Sequence, residues 1–183
     1  MLLKASVRIR RDLDPAKLSP MEEEQATSED GLMLNHSYFD MRGYSVADAK
    51  TAIAEEADLL AELEASDWDA DTAEELAENM IETGEYAGWF DIGTSAAVFA
   101  LSAAGATPIS SCNGGRIGGT HHSDEVPNIL FSIEPSLLDP ILRSAEEVEA
   151  GLINNGVYAE LFVDDLLKLH AFAEKLVARL ELQ

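Results

Sequence analysis

Ten consecutive residues, 95–104, read Ser-Ala-Ala-Val-Phe-Ala-Leu-Ser-Ala-Ala and carry no charge. An alanine-rich run favours the helix, and Gly105 stands where the chain must leave it. Side chains this small let a helix approach a sheet closely, the arrangement of a βα or αβ unit. Asp91 is placed ahead of the run as its N-cap. Residues 106–111 have the character of a short strand, so Cys112 falls where that strand gives way to a turn. Ligands of open α/β sheets gather at such strand ends.

The turn, Cys112-Asn113-Gly114-Gly115-Arg116, holds the only cysteine of the chain. Its glycines let backbone N–H groups converge into an anion-accepting nest beside the sulfur, and Arg116 is the one base within residues 87–120. Such a nest suits a phosphate, a carboxylate or a developing oxyanion. Ser111, Asn113, Gly114, Gly115, Arg116 and Asp91 are therefore candidate ligand-binding residues. A neighbouring imidazole or guanidinium lowers a thiol pKa, which makes Cys112 a candidate nucleophile, at least partly reachable and sharing a cavity with His121 or His122. Those two histidines are candidate acid–base groups near neutral pH. On an extended segment they point to opposite sides, so one of them faces the cysteine. The alternative reading of Cys112 is a small buried hydrophobe at a strand end. A zinc ion held by Cys112, one histidine and Asp124 or Glu125 would use accepted ligand types, but the spacing matches no established pattern, so no metal is expected.

Along the rest of the chain, Leu3, Ala5, Val7 and Ile9 alternate with Lys4, Ser6, Arg8 and Arg10, which predicts a half-buried first strand. Residues 12–44 read as an irregular loop or flap with a short helix after Ser19-Pro20, and they contain the further candidates His36 and Asp40. Residues 46–86 form an acidic helical segment: Ser45 and Asp48 make a capping pattern, and a second helix runs over 72–83 and ends at Gly84. Residues 88–134 are a helix-strand-turn-strand region. Over 139–183 the pattern is helix-hairpin-helix: Asp139-Pro140 starts a helix that stops at Gly151, Asn155-Gly156 turns a hairpin, and Asp164 or Asp165 caps the last helix. His170, among the leucines of that helix, reads as a structural or half-exposed histidine. The expected architecture is one α+β domain, a mixed β-sheet packed by amphipathic helices.

Of the formal charge of −23, −13 falls in residues 46–86, which hold 14 acids and one base. Such concentration predicts one strongly acidic face, whereas salt adaptation would spread carboxylates over every surface. Phosphates would be repelled, so nucleic acid is an unsuitable partner, and six carboxylates along residues 46–64 are too sparse to mimic DNA. A basic protein is the fitting macromolecular partner. No apolar run reaches the roughly 20 residues a membrane helix needs, and the opening Met1-Leu2-Leu3-Lys4 does not continue into a leader. With one cysteine there is no disulfide framework, and a reducing, cytoplasmic setting is expected.

The stretch from Gly88-Trp89-Phe90-Asp91 through the helix to Ser110-Ser111-Cys112-Asn113-Gly114-Gly115-Arg116-Ile117 resembles the third-acting methyltransferase family of wybutosine synthesis on tRNA. There a glycine and an aspartate precede a helix and a Ser-Ser-Cys-x-Gly-Arg strand end follows. A similar serine-cysteine turn is familiar from uncharacterised bacterial proteins. The resemblance covers about thirty residues. It implies an α+β fold with Ser111, Cys112 and Arg116 at the functional edge and S-adenosylmethionine as a ligand. Gly115 is an extra residue before Arg116, and the acidic surface is unsuited to tRNA, so the fold and pocket carry over and the substrate does not. Two functional classes follow. One is a small enzyme or ligand-binding domain with its pocket around Cys112, taking a small anionic or nucleotide-like molecule. The other is a non-catalytic acidic binding module, of inhibitor or immunity type, that uses residues 46–86.

Overall fold

In the computed structural model, which describes residues 3–21, 40–117 and 124–182, the uncharged run is the helix α3 (Ser95–Ala103), buried along its whole surface. Two helices precede it, α1 (Val46–Ala65) and α2 (Ala70–Thr83). After it come β1 (Thr107–Cys112), β2 (Asn128–Ser132), α4 (Asp139–Glu147), β3 (Gly151–Asn155), β4 (Tyr158–Phe162) and α5 (Leu167–Leu180). This is an α+β fold. Among the described residues no helix is long and apolar enough to cross a membrane.

Local chemistry sets the ends of the elements. Ser45 and Asp48 form a reciprocal capping box at the start of α1, where the Ser45 N–H donates to the Asp48 carboxylate at 2.8 Å. The Ser45 hydroxyl and backbone N–H hold the Asp48 carboxyl below its ordinary pKa. α2 begins two residues ahead of the expected Thr72, because Asp69 accepts the Thr72 N–H and serves as its cap. It ends at Gly84, whose left-handed φ of 75° closes the helix. α4 stops before the expected Gly151, and the left-handed residue after it is Glu149, at φ 57°. Gly151 opens β3 instead, packed so closely on Phe162 that a Cβ there would lie 2.2 Å from the ring. Asp165, one of the two expected caps of α5, accepts the Leu167 N–H at 3.2 Å.

The sheet order is β1-β2-β4-β3, and every pairing is antiparallel, so the expected mixed sheet is corrected. Chain β2-α4-β3 does return in the same direction, but β4 inserts between the two strands and removes the parallel contact. The hairpin pairs Asn155 with Tyr158, leaving Gly156 and Val157 as a two-residue turn with positive φ at Gly156, as a type II′ turn requires. Ile129, Phe131, Leu152, Ala159 and Leu161 make the buried face, while Leu130, Ile153 and Glu160 on the other face are half-buried. The same core takes in Ile141 of α4 and Leu169, Phe172 and Leu176 of α5.

The predicted first strand is also corrected. Its alternation survives, with Leu3, Ala5, Val7 and Ile9 half-buried and their neighbours exposed. Yet the segment makes one bridge, Lys4 with Asp165, and no ladder. Period-2 burial needs a half-covered surface rather than a paired neighbour. The segment is a strap bonded near its ends, by the Ala5 N–H to Asp164 O at 2.8 Å and by the Leu152 N–H to Arg10 O at 2.8 Å. Further along, the 3-10 turn Pro15–Lys17 uses Asp14 as cap and Pro15 at its first position. The helix expected after Ser19-Pro20 falls on residues 22–39, outside the described residues.

Because α3 has no free side, enlarging it has nowhere to go. Ala97→Leu, at a fully buried position, is expected to cost about 1–3 kcal/mol through overpacking. A lower urea midpoint at unchanged slope is the expected result of chemical denaturation.

Candidate functional site

Cys112 is the last residue of β1, at the strand end where the sequence places it. The turn does gather most of the candidate residues, and its hydrogen bonds define what each does. Asn113, 1% exposed, donates from Nδ2 to the carbonyls of Ile92 (3.3 Å) and Ile117 (2.8 Å). Three successive N–H groups of the nest are already accepted within the chain. Asn113 N–H donates to Asp91 Oδ2 at 3.3 Å, Gly114 N–H to the Cys112 sulfur at 3.3 Å, and Gly115 N–H to Asn113 Oδ1 at 3.0 Å. The anion of this nest is therefore the Asp91 carboxylate. Gly114 and Gly115 both adopt left-handed φ, 68° and 65°, and Gly114 sits so tightly on the 126–127 backbone that a Cβ would approach it to 2.8 Å.

Arg116 does not point at an open anion site. Its Nε donates to Gly114 O at 3.0 Å, its Nη1 to Lys4 O at 2.9 Å, and its Nη2 to Glu125 O at 2.6 Å. One guanidinium thus staples the turn, the N-terminal strap and the chain entering β2. The thiol lies 3.9 Å from Asp124 O, and Cys112 is 4% exposed, which corrects the expectation that it is reachable. Apolar neighbours and the closed turn account for that. Asp91 is corrected as well: it does not cap α3. Thr94 holds the cap position and donates its hydroxyl to Asp91 O at 2.8 Å, leaving the Asp91 side chain for the turn. Ser111 is half-buried in β1, paired with Ile129. His36, His121 and His122 lie outside the described residues. Asp40 pairs in a fork with Arg42, at 2.7 and 2.9 Å, which lowers its carboxyl pKa.

A second polar centre lies in the helical layer. Glu56 is fully buried; its Oε2 accepts the Ala96 N–H at 3.1 Å and its Oε1 lies 2.9 Å from His170 Nδ1. Glu56 shares the buried face of α1 with Ala49, Ala52, Leu59 and Leu63. A charged residue in the middle of an apolar stripe is a signal that the sequence did contain, and reading the carboxylates of 46–86 as a single exposed face hides it. The rest of that set behaves as expected: Asp58, Glu62, Glu64, Glu74, Glu75 and Glu78 are exposed, and none is in an ion pair with a described base. Lys50, the lone base of the segment, is turned onto Glu181.

No family model, no curated protein and no solved structure matches this chain.

The turn's bonds set the reactivity of the cysteine. Arg116→Ala removes three charge-assisted bonds, and loss of even one, at about 1.5–3 kcal/mol, opens the turn roughly 10- to 100-fold more often. Alkylation of native Cys112 by iodoacetamide is expected to be slow in the wild type and faster by that factor in the variant. Equal rates in the two proteins would show that the guanidinium does not close the turn.

Proposed function

We propose that this chain is a binding module that captures a basic protein partner on the acidic surface of α1 and α2. The observation that carries the reading is the set of exposed carboxylates, from Asp58 to Glu78, that no described base neutralises. Unpaired charge of one sign on two adjoining helices sums to a field that steers a cation-rich surface and repels an anionic one. Glu56 takes no part in this, since it is buried. The donors of the glycine turn count the other way for the rival reading, because they are committed to Asp91, to Asn113 and to backbone carbonyls.

A second reading rests on the convergence of Asp91, Cys112 and Arg116 at the end of β1. In it, a small anionic or nucleotide-like molecule binds beside the turn, with Cys112 as nucleophile or pocket wall and His121 or His122 as the acid–base group. The methyltransferase resemblance adds S-adenosylmethionine as its ligand. It requires the turn to exchange internal bonds for bonds to the ligand.

One comparison separates the two. Neutralising Asp58, Glu62, Glu64, Glu74, Glu75 and Glu78 to Asn or Gln is expected to slow association with a basic protein retained from a cell extract by roughly 10- to 1000-fold at low salt. Cys112→Ala and Arg116→Ala should bind that protein as the wild type does. Association unchanged in the neutralised variant but lost in the two turn variants would remove the acidic-surface reading and favour the pocket.

A further inference from the structure

Glu56 and His170 belong neither to the Cys112 turn nor to the exposed acidic surface. They form the seam of three helices: Glu56 comes from α1, His170 from α5, and α3 presents the Ala96 N–H. The imidazole side chain is 14% exposed. Its Nδ1 faces the buried carboxylate, while its Nε2 has no described protein partner and is not sealed from water. The ring therefore exchanges a proton with solvent on one side while its other side reports directly to a fully buried charge. We propose that Glu56 and His170 form a pH-sensitive latch that holds the C-terminal helix α5 against α1 and α3.

The physical basis is the unequal cost of the two protonation states. With His170 protonated, the seam holds a hydrogen-bonded carboxylate–imidazolium pair with no net charge. Once the ring is neutral, the Nδ1–H bond remains but the Glu56 charge is left buried with only dipolar partners, His170 and Ala96 N–H. The groups that act on the ring are Glu56 from α1 and Glu174 from α5 itself, while α3 contributes a backbone N–H and no charge. Burial pulls the imidazole pKa down, and the hydrogen bond and charge of Glu56 together with Glu174 outweigh it, so the ring sits above its ordinary 6.5. A folded pKa above the unfolded one contributes stability that is complete below about pH 6.5 and is lost as pH rises through the higher folded value. The many surface carboxylates also titrate, but near pH 4, well below this window.

The decisive measurement is an NMR titration of the His170 ring in the wild-type chain. It should give a midpoint above the ordinary imidazole value, with exchange protection of α5 amides falling across the same pH range. In parallel, the urea midpoint of the wild type should decline as pH rises above 6.5, and His170→Gln, which keeps a donor but cannot charge, should flatten that decline. Glu56→Gln should bring the His170 midpoint down. A wild-type ring that titrates at or below the ordinary value overturns the latch, even where neither variant folds. So does a urea midpoint whose decline is the same in His170→Gln as in the wild type.

Discussion

The carboxylate of Glu56 is the interaction on which the helical layer depends. α3 is buried on every side, so its first N–H groups, which no intrahelical carbonyl can accept, begin in a place without water. Thr94 at the cap position accepts none of them with its side chain. Glu56 Oε2 takes the Ala96 N–H, placing a negative charge at the positive end of the helix dipole. The charge is tolerable because the other oxygen is held by His170. One side chain from α1 thereby fixes α3 and α5 together, and a neutral residue at that position would leave a buried donor and an imidazole without their acceptor.

With α3 fixed, the chemistry at the end of the sheet follows from the connections on either side of it. Asp91 lies just before the helix and the 112–116 turn just after the strand that follows, so a helix out and a strand back return the chain to the same place. The aspartate carboxylate then fills the nest formed by the turn. What looks in sequence like an open anion site is a cross-link made from two segments 22 residues apart. Arg116 extends the cross-link to Lys4 O and Glu125 O. Cys112 is buried beneath this junction, which is the ordinary fate of a small soft side chain at a strand end.

Features governed by local chemistry were legible in the sequence: the Ser45–Asp48 box, Gly84, the strand end at Cys112 and the hairpin around Gly156. Those governed by long-range acceptors were not. Nothing near Asp91 distinguishes a side chain that caps the next helix from one that reaches a turn beyond it. The alternation from Leu3 to Ile9 correctly gave the burial of each residue, yet it is silent on whether the backbone pairs, because side-chain period and ladder formation are separate properties of an extended chain. Glu56 was legible in principle, seven residues after Ala49 and seven before Leu63 on a buried face. Its partner was not, since His170 is 114 residues away.

The division of the acids carries a last consequence. Segment 46–86 has 14 carboxyl groups, and the fold treats them in three ways. Glu56 is buried, and the exposed six from Asp58 to Glu78 are left without bases. Asp48, Glu55 and Asp69 accept hydrogen bonds from nearby N–H or hydroxyl groups. Folding requires the first and third groups, since each satisfies a donor that would otherwise go unpaired. It gains nothing from the second, whose mutual repulsion opposes compaction. Charge kept at a cost to stability, on a surface the core does not need, is explained by what it attracts. That places the selective reason for this chain's acidity outside the chain, in the surface it meets.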